Sequence, residues 1–160
     1  MYRLQIAEGF NSPGGGIWTG LTSIMSSITS MAGAVSGAIS DGDTIYLAGF
    51  THLSPFAAGH EIIRQEYSDL TVARATPDLV YDQLIAAGCV EKVIFSWAGN
   101  PGVGSLHAFR RAVEEGVPTS IELEEYTHFG MATRLYAGAV DLPFVPLKTF
   151  AGSDLPEHND

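Results

Sequence analysis

Val93-Ile94-Phe95-Ser96-Trp97-Ala98-Gly99-Asn100-Pro101-Gly102-Val103-Gly104-Ser105 joins an apolar run to a loop almost free of side chains. The apolar part reads as a buried strand over Lys92–Trp97, and a helix is expected from Ser105 to Glu115, closed by Gly116. Strand, glycine-rich loop and helix together are the unit from which parallel α/β sheets are built. They are also how such a sheet holds an anionic ligand: backbone N–H groups and a helix N-terminus face it where no Cβ intervenes. Two well-known versions fail on residues. No Lys-Ser/Thr follows the glycines, so this is not a P-loop, and the G-x-G-x-x-G spacing of dinucleotide sites is absent. Gly99, Gly102 and Gly104 therefore either permit a tight strand-to-helix turn or let a ligand or a partner's backbone approach.

Outward from this stretch the same alternation repeats. Met25, Ile28, Met31, Val35 and Ile39 recur at helical spacing. A turn at Asp41-Gly42-Asp43 leads into a strand over Thr44–Phe50, a helix over Pro55–Gln65 and a strand over Leu70–Ala75. Thr76 is the expected cap of the next helix, with Pro77 at its first position, Asp78 facing the dipole and Gly88 as its stop. Leu106, Phe109 and Val113 are expected to point inward from the Ser105 helix. A strand over Ile121–Tyr126, a helix over Thr127–Gly138 and a last strand over Phe144–Leu147 complete the pattern. This predicts an α/β fold: an open, mostly parallel sheet with helices on both faces and its site beyond the carboxyl ends of the strands.

At 160 residues the chain has the size of one domain. Residues 25–160 are assigned to it. Residues 1–24, with the linker-like Asn11-Ser12-Pro13-Gly14-Gly15-Gly16, read as an extension, and Met25 reads as the natural start. The segment has no basic n-region of a signal peptide, and no stretch has the length of a membrane span. Eighteen acidic against eight basic residues give a formal charge of -10. Such a surface repels phosphate backbones, which argues against nucleic-acid binding. The single Cys89 excludes an intrachain disulfide, reads as a small buried filler and fits a reducing, cytoplasmic compartment. The tail after Gly152 shows no closing element, so the sheet is expected to be incomplete.

Four strand ends carry the unusual residues. Gly49 lets something come close, and His52 and Ser54 supply polar tips there. His52 is either a structural residue or a contact to ligand or partner. Ile121-Glu122-Leu123-Glu124-Glu125 puts Glu125 on the strand face of Ile121 and Leu123, and His128 follows three residues later. A Glu125/His128 pair at a strand end is compatible with acid/base work, and a solvated acidic edge is the alternative. The five His residues show no metal-ligand spacing.

Four segments together resemble the A-type chains of the coenzyme A-transferase family. Asp41-Gly42-Asp43-Thr44-Ile45-Tyr46-Leu47-Ala48-Gly49-Phe50 is similar to their Asp-Gly…Gly-Gly-Phe signature, with Ala48 replacing the first Gly. Phe50 to Glu61, Thr76 to Leu84 and Phe95 to Ser105 resemble the glutaconate CoA-transferase branch, and the likeness covers roughly residues 30–155. The resemblance implies a two-subunit enzyme. A Glu of the B-type partner chain attacks the acyl-CoA thioester, an acyl-glutamyl anhydride and then a glutamyl-CoA thioester form, and CoA passes to a carboxylic acid. It further implies that coenzyme A enters as a thioester substrate, with no permanently bound cofactor. Gly49, Phe50, Thr51, His52, Ser54, Thr76, Gly99, Asn100, Gly102 and Gly104 would line the substrate site, and the chain would be the N-terminal half of an A-type chain. The competing readings are a CoA-thioester hydrolase or ring-opening enzyme of the same fold, and a catalytically silent binding module.

Overall fold

Four short parallel strands, in the order β1-β2-β3-β4, form the sheet of the computed structural model. Residues 28–49, 53–100, 102 and 104–159 are described. Met25 and the region before it therefore lie outside the described residues. The elements are α1 (Met31–Ser36), β1 (Thr44–Ile45), α2 (Phe56–Arg64), β2 (Leu70–Ala73), α3 (Leu79–Ala86), β3 (Val90–Phe95), α4 (His107–Glu115), β4 (Glu122–Glu125), α5 (His128–Ala139) and α6 (Leu155–His158). Each strand pairs with its neighbour in sequence: Ile45 lies opposite Val72, Val72 opposite Val93, and Val93 opposite Leu123.

Side-chain alternation sorts the two faces. Ile45, Val72, Val93 and Phe95 point into the main core with Ile62 of α2, Val80, Tyr81, Leu84 and Ile85 of α3, and Ala108 and Ala112 of α4. Helices α1 to α4 stand side by side in one row on this face. A right-handed crossover that never reverses direction keeps its helices on one side. The opposite face carries Lys92, Glu122 and Glu124, and Arg134 of α5 pairs with Glu124 there. Helices thus lie on both faces, as the alternating pattern predicts. Fully burying each of these Val and Leu side chains stabilises the fold by about 1.5–3 kcal/mol.

Several boundaries differ from the sequence reading, each for a physical reason. β1 stops at Ile45 because the next inward residue, Leu47, gives its N–H to the Tyr81 hydroxyl at 3.1 Å. Asp78, rather than Thr76, caps α3, its Oδ1 accepting from the Val80 N–H. α4 starts at His107, not Ser105. Its N-cap Leu106 has no side chain for the task, and Asp82 of α3 accepts the Phe109 N–H at 2.8 Å instead. Ala108 and Ala112 form the inner stripe of α4, and Val113 is exposed. Thr127 caps α5, and Gly116 closes α4 with φ +68°. Residues 144–147 form no strand. Pro143 precedes this stretch and Pro146 lies within it, and a proline offers no N–H to a ladder.

Candidate functional site

One buried charge ties the exit of β1 to the segment that follows β2. Arg74 directly follows β2, in the apolar run Leu70-Thr71-Val72-Ala73, and is 2% exposed. Its Nη2 donates to the Gly49 carbonyl and pairs with Asp78 Oδ2 at 3.0 Å. The guanidinium carbon lies 5.6 Å from the centroid of the Tyr81 ring. Asp78 Oδ2 also accepts from the Ser54 hydroxyl at 2.7 Å. Loss of one partner of such a pair leaves an uncompensated buried charge, at a cost of about 3–5 kcal/mol. Nη1 of Arg74 has no hydrogen-bond partner among the described residues. Burial pushes the Tyr81 phenol far up, so it stays protonated and bridges Leu47 and Ala73.

Gly49 sits here because no other residue fits. Its φ is +122°, and a Cβ would stand 2.3 Å from the Leu53 carbonyl oxygen. Phe50, Thr51 and His52 lie outside the described residues. Thr76 lies between Arg74 and Asp78, and Pro77 accepts the Gly99 N–H at 3.1 Å. Gly49, Ser54 and Gly99 are therefore joined by hydrogen bonds to the segment 74–78, which contains Thr76.

The glycine loop is more closed than its sequence suggests. Asn100 and Gly104 exchange backbone hydrogen bonds at 3.3 and 3.1 Å. With the Gly99 N–H on Pro77, three of the loop's donors are already engaged. A Cβ on Gly99 would come within 2.4 Å of the Trp97 indole, which lies over it half-exposed. Gly102 adopts φ +79° with open space around it.

At the fourth strand end the expected residues separate. Glu125 is exposed, and its backbone N–H and carbonyl are both held by the Asn159 amide. His128 turns instead to Ser96, with Nδ1 3.1 Å from Oγ. The Ser96 hydroxyl donates to the Ala75 carbonyl at 2.6 Å, which leaves its oxygen to accept from the His128 ring N–H. No Glu125–His128 hydrogen bond occurs among the described residues. Glu124, which the sequence reading passed over, is the engaged carboxylate: Lys92 pairs with it at 2.9 Å, and Tyr126 and Arg134 donate to it. Burial raises its pKa, but the hydrogen bonds from Tyr126, Lys92 and Arg134 outweigh that and bring it to about 2.

Arg74, Asp78, Ser96 and Glu124 are the residues that sequence reasoning missed in these roles. A signal existed for the first two: a lone Arg in a buried strand run, with an Asp four residues on. Burial pushes the Cys89 thiol up, which suits its place in the core. Among the described residues no group of three His, Cys, Asp or Glu could hold a metal ion. No described helix is long and apolar enough to cross a membrane.

A parallel sheet whose carboxyl ends converge on bonded, glycine-containing loops is the frame of a ligand-handling α/β enzyme, and residues 28–158 match the Coenzyme A transferase family. The chain belongs to that family. It is 55% identical over 135 residues to the A-type chain of 3-oxoadipate CoA-transferase from Pseudomonas knackmussii, covering 84% of this chain and 48% of that protein. Against the A-type chain of glutaconate CoA-transferase from Acidaminococcus fermentans it is 33% identical over 135 residues, 83% of this chain and 41% of the relative. The crystal structure of that glutaconate enzyme superposes with a TM-score of 0.75 at 32% identity, covering 81% of this chain and 40% of the solved one. A variant of the decarboxylase AibA/AibB follows with a TM-score of 0.65 at 28% identity, over 74% and 45% of the two chains. The chain spans less than half the length of these relatives.

Proposed function

We propose that this chain is part of the A-type chain of a CoA-transferase that moves CoA between an acyl-CoA and a carboxylic acid. A separate B-type chain supplies the carboxylate nucleophile. The observation that carries this reading is the set Gly49, Ser54, Asp78 and Gly99, bonded to the segment 74–78 that contains Thr76. It gathers all four family-like segments at one end of the sheet. None of these residues is a free carboxylate, which supports a nucleophile delivered from outside. Phe50, Thr51, His52, Asn100, Gly102 and Gly104 complete the proposed substrate-facing loops, and coenzyme A is a substrate rather than a resident cofactor.

The acceptor is read as a dicarboxylic acid. The relative at 55% identity is named for 3-oxoadipate and the one at 33% for glutaconate, which favours the former. A hydrolase reading has one supporting observation, the exposed His128 ring beside Ser96. The partner chain is supported by apolar side chains left in the open on and after α5: Phe129, Tyr136 and Phe144 are 61%, 60% and 76% exposed. A buried thiol as the sole Cys supports a cytoplasmic setting. Residues 1–24 are read as an extension outside the domain, since the family match begins at residue 28.

The test is coexpression with a B-type chain of the family, followed by assay of CoA transfer from an acyl-CoA to 3-oxoadipate or glutaconate. Transfer by the complex and none by the isolated chain is expected. Transfer by the chain alone, or acyl-CoA hydrolysis without an acceptor, overturns the reading. Deleting residues 1–24 is expected to leave the melting temperature unchanged within about 2 °C. A larger drop in a thermal melt assigns them to the fold.

A further inference from the structure

Arg74 is an expensive residue to keep where it is. It is buried at the end of an apolar strand, and one of its guanidinium nitrogens goes without a partner among the described residues. Buried pairs that only stabilise are readily replaced by apolar side chains of similar volume. What an apolar residue cannot do is reach two elements at once. Arg74 Nη2 holds the Gly49 carbonyl, at the exit of β1, and Asp78, at the cap of α3. Asp78 in turn accepts from Ser54, just before α2, and from the Val80 N–H. One guanidinium thus fixes the spacing between the Gly49 turn, Ser54 and the Thr76 segment.

We propose that Arg74 is a positioning residue for the strand-end site, holding the exit of β1 directly through the Gly49 carbonyl, and Ser54 through Asp78, in the geometry that receives the acyl-CoA. This rests on the CoA-transferase reading above. Arg74, 2% exposed, acts through the backbone it holds. Its planar fork matters more than its charge, because a lysine ammonium offers no paired, planar donors.

The test uses Arg74→Met/Asp78→Asn, which removes the pair without stranding a buried charge and leaves Asn as a cap and an acceptor for Ser54. Arg74→Lys serves as the conservative variant. In the intact chain, amides of Leu47, Ala48, Gly49 and Ser54 should exchange with solvent about tenfold faster in the double variant, while β3 amides and the melting temperature stay put. In the complex with a B-type chain, KM for acyl-CoA should rise about tenfold with kcat within about threefold. Arg74→Lys should keep the wild-type melting temperature and still raise KM about tenfold. Exchange that is unchanged, or faster across the whole sheet, overturns the proposal, as does a fall confined to kcat or a wild-type KM in Arg74→Lys. Faster local exchange in a protein whose wild-type complex transfers no CoA would leave the positioning of the loop standing and remove the functional reading instead.

Discussion

Gly49 and Gly102 look alike in the sequence and differ in what they contribute. Both adopt positive φ, but only Gly49 has backbone in the space a Cβ would take. Gly49→Ala is expected to cost about 2–4 kcal/mol, by strain plus a clash with the Leu53 carbonyl. Gly102→Ala costs about 1 kcal/mol, from conformation alone. Chemical denaturation of the two variants checks the ranking, and equal costs would contradict it. The glycine loop was legible as a loop. That its donors face one another was not, because hydrogen bonding within a loop leaves no mark on its spacing. Glu124 shows the same limit. Alternation placed it opposite Leu123, yet its value depends on Arg134, ten residues away on a helix across the sheet face. Its folded pKa of about 2 lies below the ordinary carboxylate value of 4.5. The unfolded chain therefore binds the extra proton first. The resulting stability is complete above about pH 4.5 and drains away as the pH falls toward 2. Glu124→Gln should lose about 1–2 kcal/mol at pH 7 and show a flatter acid limb in denaturation measured from pH 7 to 2. An acid limb identical to wild type would show that the cluster contributes nothing.

Element types were largely legible, and their ends were not. Four of the five expected strands and the helices after them are present, since period and punctuation are local properties. The misplaced ends trace to tertiary partners: the Tyr81 hydroxyl truncates β1, and Asp82 caps α4 from a neighbouring helix. The absent strand at 144–147 was a local error, because Pro143 and Pro146 were in plain view. Edge strand β4 shows how a side chain can stand in for a strand. The Asn159 amide donates to and accepts from the backbone of Glu125, filling one rung of the open ladder. Asn159→Ala should bare that rung and increase self-association, read as a concentration-dependent rise in sedimenting mass. An unchanged monomer would show that the rung needs no cover.

At the level of the whole molecule, the doubly covered parallel sheet followed from the sequence, and its unequal covering did not. Four helices fill one face in a row, whereas α5 covers the other only near β4, through Glu124 and Tyr126 with Arg134. Among the described strands the order never reverses, so no crevice opens between two diverging helices. The unreversed order also governs how the chain assembles. The links that build the strand-end set span short stretches of chain: 25 residues from Gly49 to Arg74, 24 from Ser54 to Asp78, 21 from Ala75 to Ser96. Short closures are entropically cheap and fast. On a ribosome, the cluster around Arg74 has all its described parts once α3 has emerged, before β4 and α5 are synthesised, so it can form while the remainder of the sheet is still being made.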